Sequence, residues 1–274
     1  MTLLNAGQER KEKTAIPLPG RRSDMNRSRT LSSMAAQVAT RLSALLCATL
    51  LAAGVAAQSQ EPKREIFAPA NGNGAVVIVA SGASGPRAYR DFSAKLAAMG
   101  YYAVLIEGQD LFDMFDPRSD RGETNMAKVI AESQSAPQAL AGKVALVGFS
   151  LGGAGVLLRS SGAVGDKIAA VVAYYPSINR LPLDAAELAA ALKAPTLVLA
   201  AGKDEQDNCC KLESMLALKA AAKTVPFELV VYPEAGHGFN MPLLPQFVHR
   251  PADAEDAFAK ATAFLLRLHR PGGR

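Results

Sequence analysis

Val144-Ala145-Leu146-Val147-Gly148-Phe149-Ser150-Leu151-Gly152-Gly153 decides the fold of this chain. An apolar, strand-forming run passes directly into Gly-x-Ser-x-Gly, and small and apolar residues then open a helix. A serine on so sharp a strand-to-helix turn is pushed out of the top of a sheet. The glycines beside it let neighbouring backbone pack close. The first N–H groups of the following helix then point at any oxygen that develops charge near the hydroxyl. The competing reading is a glycine-rich turn in which Ser150 only caps the helix. Whether the rest of the chain supplies a base and an acid separates the two.

Around this segment, short apolar β-branched runs alternate with helical patterns. Strands are predicted at 75–80, 101–106, 143–149, 168–173, 196–201 and 227–232. Helices are predicted at 86–99, 125–133, 151–161, 185–192, 212–223 and 252–268. Continuous apolar strands separated by helices predict an α/β fold, a mostly parallel, doubly wound sheet with helices on both faces. Active sites of such sheets lie at the carboxyl ends of the strands. The polar, Asp-rich stretch 107–124 reads as a long loop at the sheet's edge. Its Arg118, Arg121, Phe112 and Phe115 are candidates for shaping specificity, the arginines for gripping a carboxylate, although solvated loop charge is the simpler reading.

The folded part is not expected to extend over all 274 residues. Leu42 to Ala57 is a 16-residue run without a charge, preceded by Arg27, Arg29 and Arg41 and ending in Val55-Ala56-Ala57. This is the pattern of a secretory signal peptide, too short for a membrane span of about 20 apolar residues. Residues 1–57 are expected to be a leader, with Met25 or Met34 as candidate starts, 58–74 a polar lead-in, and 75–274 the domain. The expected location is outside the cytoplasm, periplasmic or secreted, without stable membrane insertion once the leader is cleaved; an uncleaved anchor is the alternative. Residues 1–57 hold 8 of the 30 Lys and Arg and 3 of the 25 Asp and Glu, leaving 22 of each. The basic excess belongs to the leader, so no nucleic-acid partner is expected. Oligomeric state has no signal in the sequence.

Cys47 would leave with the leader, and Cys209 and Cys210 are adjacent. Neighbouring Cα atoms are about 3.8 Å apart, below the usual disulfide range of about 4.4–6.8 Å. Two buried thiols are therefore expected ahead of a vicinal bridge, with an intermolecular bond as a third option. No Cys and His spacing matches a metal site, no nucleotide fingerprint is present, and neither metal nor cofactor is expected.

A serine nucleophile at neutral pH needs a general base, usually histidine. His237 lies in Glu234-Ala235-Gly236-His237-Gly238-Phe239-Asn240, just past the last predicted strand, where glycines permit a tight turn. His249 reads as an exposed loop residue and His269 as a cation at a helix end. The imidazole in turn needs an orienting carboxylate. Asp204 stands directly after the strand 196–201, with Glu205 and Asp207 as competitors in the same loop. The oxyanion would be held by the N–H of Leu151 and, from Ser81-Gly82-Ala83-Ser84-Gly85, that of Ala83.

The order Ser150, Asp204, His237 is that of the α/β-hydrolases. The elbow, the Gly202-x-Asp204 loop and Gly236-His237-Gly238-Phe239-Asn240 resemble the dienelactone hydrolase branch, as does 89–101 with Asp91-Phe92 and Gly100-Tyr101. The resemblance spans about 75–267. It implies a compact enzyme without a large cap that cleaves small-molecule esters or lactones through an acyl-enzyme. Two departures stand out: the branch proper uses cysteine where this chain has Ser150, and Ser81 stands where many relatives carry histidine. The dienelactone substrate itself is thereby not implied. A peptidase or acyltransferase on the same fold, or a non-catalytic secreted binding protein, are the rival readings.

Overall fold

The computed structural model describes residues 61–272, and the predicted leader lies outside the described residues. Seven strands form a single sheet in the order β1-β3-β2-β4-β5-β6-β7. The strands are β1 (Arg64–Phe67), β2 (Val76–Ala80), β3 (Tyr102–Ile106), β4 (Val144–Phe149), β5 (Ile168–Tyr174), β6 (Thr196–Ala201) and β7 (Phe227–Tyr232). All neighbours pair in parallel except β1 and β3, where Arg64 faces Ile106 in antiparallel register. Each of β2, β3, β4 and β6 is buried throughout, as strands covered on both faces must be.

The covering helices are α1 (Arg90–Ala98), α2 (Arg121–Ser135), α3 (Leu151–Ser161), α4 (Ala185–Ala191), α5 (Leu212–Ala221) and α6 (Pro251–Leu268). Strand alternation divides the core in two. Val76, Ile78 and Ala80 face Met126, Val129, Val156, Leu188 and Leu218 of α2 to α5. Val77 and Val79 face the other way, towards Phe92 and Leu96 of α1 and Ala261 and Phe264 of α6. This is the α/β-hydrolase architecture, with no large cap among the described residues.

After β2 the chain pairs β3 on one side and then returns to pair β4 on the other. The order reverses between β2 and β4, and the crevice at the carboxyl ends of strands at such a point is where ligands bind. The loops carrying Ser81 to Gly85 and Ser150 leave the sheet there.

Four sequence expectations change. The lead-in 58–74 contains β1, a four-residue edge strand whose side chains are mostly half-buried, too short and too mixed to stand out as a period-two pattern. The stretch 107–124 is neither a loop throughout nor at the sheet's edge. Gly108, Leu111 and Phe112 are buried, α2 starts at Arg121, and β1 lies outside β3. A Cβ on Gly108 would stand 2.1 Å from the Ser81 carbonyl, so only glycine lets the chain pass so close to the site. Cys209 and Cys210 are buried as expected but bridged to each other, because both turn into one core cluster where the sulfurs meet despite a Cα separation of 3.8 Å. His269 is not a solvated cation: its Nε2 lies 2.8 Å from the Val76 carbonyl, and burial lowers its pKa against the opposing effect of that bond. No described helix is long and apolar enough to cross a membrane.

Candidate active site

Ser150 sits between β4 and α3 with φ 52° and ψ −114°, a backbone conformation that L residues rarely adopt. Surrounding contacts hold it there. Its N–H donates to the Tyr174 carbonyl at 3.0 Å, and its carbonyl accepts from Ser177 N at 3.0 Å. The motif glycines are steric necessities. A Cβ on Gly148 would lie 2.3 Å from the Gly152 carbonyl, and one on Gly152 would lie 2.4 Å from the carbonyls of Ala80 and Ser81. Below the turn, Phe149 is fully buried and its ring centroid is 4.6 Å from those of Tyr89 and Tyr174. A strained turn is thus clamped on a rigid aromatic base.

The structure brings the three chemically complementary side chains together. Ser150 Oγ is 2.9 Å from His237 Nε2, and His237 Nδ1 is 2.7 Å from Asp204 Oδ2. An ionised carboxylate only accepts, so Nδ1 carries the proton and Nε2 offers its lone pair to the serine hydroxyl. Asp204 Oδ1 accepts from Gln206 N at 3.1 Å, which fixes the carboxylate plane. The Asp204 carboxylate is fully buried, whereas Glu205 and Asp207 are exposed. Among the three acids of this loop only Asp204 reaches the imidazole. His249 is exposed and lines a separate cavity with Met241 and Phe258.

The imidazole is also held by aromatic edges. The Tyr175 ring lies 4.8 Å from it at 62°, and the Phe247 ring 5.1 Å at 65°. Tyr175 has φ 33°, and its hydroxyl donates to Asn240 Oδ1 at 2.6 Å, tying the end of β5 to the histidine loop. Gly238, with φ 67°, passes so close to Phe247 that a Cβ would meet the ring at 2.2 Å.

Ser150, His237, Leu151 and Ala83 open on one cavity of about 690 Å³. Leu151 is the first residue of α3, where a backbone N–H has no partner within the helix. Tyr89 stands in the same wall, its phenol pushed up to about 12 by burial against the lowering effect of a bond to Gly82. From the 107–124 stretch the cavity receives Met114 and Phe115, not the arginines. Arg121 pairs with Asp110 at 3.2 Å, and Phe112 packs on Leu151, Ala154 and Leu158 in the core. Among the described residues of the lining, the one cation is Arg180, which donates to the Asp207 carbonyl at 3.1 Å.

Sequence reasoning missed Ser177, Arg180, Phe247 and the surroundings of the cysteines. Ser177 Oγ is 3.4 Å from both Ser150 Oγ and Cys210 Sγ. The sequence shows no metal-ligand spacing, yet the fold gathers Asp204, Cys209, Cys210 and His237 so that one ligand-type atom of each lies within 4.8 Å of the others. The Asp207-Asn208 pair, both with positive φ, turns this loop back on itself. Asp and Asn side by side are a turn signal legible in the sequence.

The profile of the dienelactone hydrolase family matches residues 65–268. A "Putative carboxymethylenebutenolidase" of Methylorubrum extorquens is 28% identical over 190 residues, 60% of this chain and 62% of that protein. A protein of the same description from Escherichia coli is 31% identical over 43% of this chain and 44% of its own length. The chain thus matches less than two thirds of the length of these curated relatives. Among solved structures, a "Putative Dienelactone Hydrolase" of Klebsiella pneumoniae aligns with TM-score 0.59 and 24% identity over 75% of this chain and 99% of its own. The dienelactone hydrolase-like promiscuous phosphotriesterase P91, from metagenomic libraries, aligns with TM-score 0.62 and 16% identity, covering 76% of this chain and 99% of that one. At these identities the structures speak for the fold alone.

Proposed function

Because this chain belongs to the dienelactone hydrolase family, we propose that it hydrolyses carboxylic esters or lactones with Ser150 as nucleophile. The observation that carries this reading is the unbroken line Asp204 Oδ2–His237–Ser150 Oγ, with steps of 2.7 and 2.9 Å, opening on a cavity. His237 Nε2 takes the hydroxyl proton as Ser150 Oγ bonds to the substrate carbonyl carbon. The carbonyl π pair moves onto oxygen, where the Leu151 and Ala83 N–H groups hold it. Collapse breaks the bond to the leaving oxygen, and Nε2–H protonates it, leaving the acyl group on Ser150. Water then gives a proton to Nε2 and attacks the acyl carbon, and the second collapse breaks the bond from that carbon to Ser150 Oγ, which takes the proton back from Nε2 as the acid leaves. Asp204 stabilises the imidazolium at both stages and fixes its tautomer.

Among the described residues no large cap covers the site, and Met114, Phe115 and Phe247 line its cavity with apolar surface. That suits small esters and lactones, or an accessible acyl group on something larger. We also propose export of the protein, supported by the uncharged run Leu42–Ala57 behind arginines; N-terminal sequencing of protein made with its leader tests this, with an intact leader counting against it.

The test of activity is hydrolysis of a p-nitrophenyl ester panel by the protein beside Ser150→Ala and His237→Ala, with labelling by a fluorophosphonate. The reading predicts labelled, active protein and two silent variants. Equal rates in all three, with no label on Ser150, would sink it.

A further inference from the structure

The mechanism above leaves idle a group of polar atoms packed against its own base. Cys209 and Cys210 lie five and six positions after Asp204 in one loop, bridged to each other and buried. The left-handed backbone at Asp207 (φ 46°) and Asn208 (φ 54°) coils this loop so that the pair returns to the carboxylate. Bridge formation seals the pair, because a disulfide sulfur has no thiolate charge with which to bind a metal.

The spacing nevertheless is close to that of a metal site. One ligand-type atom each of Asp204, Cys209, Cys210 and His237 lies within 4.8 Å of every other, and all four residues are buried. A tetrahedral zinc site has bonds of about 2.0–2.3 Å, which puts its ligand atoms about 3.3–3.8 Å apart. The longest of these separations must contract by about 1 Å, while the sulfurs, once their bond is broken, and the Asp204–His237 pair, 2.7 Å apart, must open to that spacing. Two thiolates, an imidazole and a carboxylate form a set that selects zinc over magnesium or calcium, which take oxygen ligands. Three of the ligands come from the loop after β6, and the fourth from the loop after β7.

We infer that reduction of the Cys209–Cys210 bridge turns the acid–base pair of the hydrolase into a zinc site, and that the metal-held form is hydrolytically silent. This rests on the reading of His237 as general base and Asp204 as its orienting carboxylate. The chemistry balances. A dithiol reductant supplies two electrons and two protons and becomes a disulfide, while the Cys209–Cys210 bond breaks to give two thiols. Zinc ion then displaces both thiol protons to solvent and takes the two thiolates, His237 and Asp204 as ligands. Zinc on Nε2 occupies the lone pair that served Ser150, and zinc on Nδ1 displaces that proton to Nε2, so with either nitrogen as ligand Ser150 has no base.

The experiment uses the full chain, reduced with dithiothreitol and desalted anaerobically, beside the air-oxidised protein and a Cys209→Ser/Cys210→Ser variant. Cobalt(II) reports ligation without any need for activity. The reduced protein is expected to take up a single equivalent and show the thiolate-to-cobalt charge-transfer band, and the other two are expected to show none. Stoichiometric zinc is expected to lower p-nitrophenyl acetate hydrolysis by the reduced protein about a hundredfold or more, the range lost with a general base. A chelator should restore the rate, and the oxidised protein should be unaffected. Absence of the band overturns the site whatever the activity does. A band with undiminished hydrolysis overturns the silencing, as does equal zinc inhibition of the oxidised and Cys→Ser proteins. A band in a protein that hydrolyses no ester in any form would instead overturn the hydrolase reading and leave the metal site standing.

Discussion

Asp204→Asn tests the proposed chemistry more sharply than deletion of the carboxylate. Asp204 Oδ1 accepts from Gln206 N at 3.1 Å, and Oδ2 accepts from His237 Nδ1 at 2.7 Å. An asparagine of the same shape keeps the first bond only by placing its oxygen at the Oδ1 position. Its NH2 then occupies the Oδ2 position and donates to Nδ1, so the imidazole proton must move to Nε2. Ser150 Oγ, 2.9 Å away, would face an N–H instead of a lone pair. The base is lost although every heavy atom stays in place.

The expected cost is about 10⁴ in kcat, the scale of a wrong tautomer in such a relay, or about 5.4 kcal/mol in activation free energy. The assay is p-nitrophenyl ester hydrolysis at neutral pH with saturating substrate, with thermal unfolding as the control for the fold. KM should change little, because the amide does not touch the cavity. A kcat within tenfold of the parent, in a protein that melts at the same temperature, would refute the assignment of Asp204 as orienting group. Recovery in Asp204→Asn/Gln206→Pro, which removes the competing N–H and frees the amide to flip, would support the tautomer argument specifically.

Other expectations follow from single contacts. Gly152→Ala would place a Cβ 2.4 Å from the carbonyls of Ala80 and Ser81. Forced separation of β2 from α3 should cost about 3 kcal/mol, lowering Tm by roughly 6–12 °C for a domain of this size, and an unchanged Tm would contradict the close-approach argument. Glu123→Ala strands the Arg159 guanidinium, 8% exposed and 3.1 Å from Glu123, and removes the acceptor of Val164 N. Calorimetry should find a loss of about 3 kcal/mol, mostly recovered in Glu123→Ala/Arg159→Met, where no buried charge is left unpaired. Burial lowers the His269 pKa in the folded protein, so the unfolded chain takes up its proton first as pH falls. Stability should therefore drop as pH falls below the ordinary histidine value of about 6.5, and the penalty should stop growing below the folded pKa. His269→Gln should flatten the Tm profile between pH 8 and 5 relative to the parent, and parallel profiles would exclude this contribution.

What could be read from the sequence is what local chemistry dictates. The elbow is legible because strand, glycine, serine and helix start are contiguous, and because the glycines at 148 and 152 answer to backbone atoms whose approach any such turn requires. Asp204 is separable from Glu205 and Asp207 because the first residues past a parallel strand's carboxyl end are held by the sheet, while the following ones turn outward to solvent. The sheet's central strands are legible for the same reason, being apolar without interruption. Edge strand β1 is not: Arg64-Glu65-Ile66-Phe67 carries half a pattern, because among the described residues it pairs with β3 alone and its side chains are mostly half-buried.

The remaining residues of the site depend on turns whose sequence does not announce them. Tyr175 adopts a positive φ, a position where glycine or asparagine would be the usual signal, and this bend carries Ser177 and Arg180 to the cavity. Its conformation is stabilised by burial of the ring against His237 and Phe239 and by the bond to Asn240, contacts some sixty residues away in the chain. No window of sequence around Tyr175 contains them. The cysteines pose the same problem with opposite emphasis. Their adjacency is plain in the sequence, but their meaning comes from the reversal at Asp207 and Asn208, which aims the pair at the acid–base couple instead of at solvent. Motifs identify the groups whose spacing along the chain is fixed by one turn or one strand; groups brought together by two turns in series become legible only once the backbone angles are known.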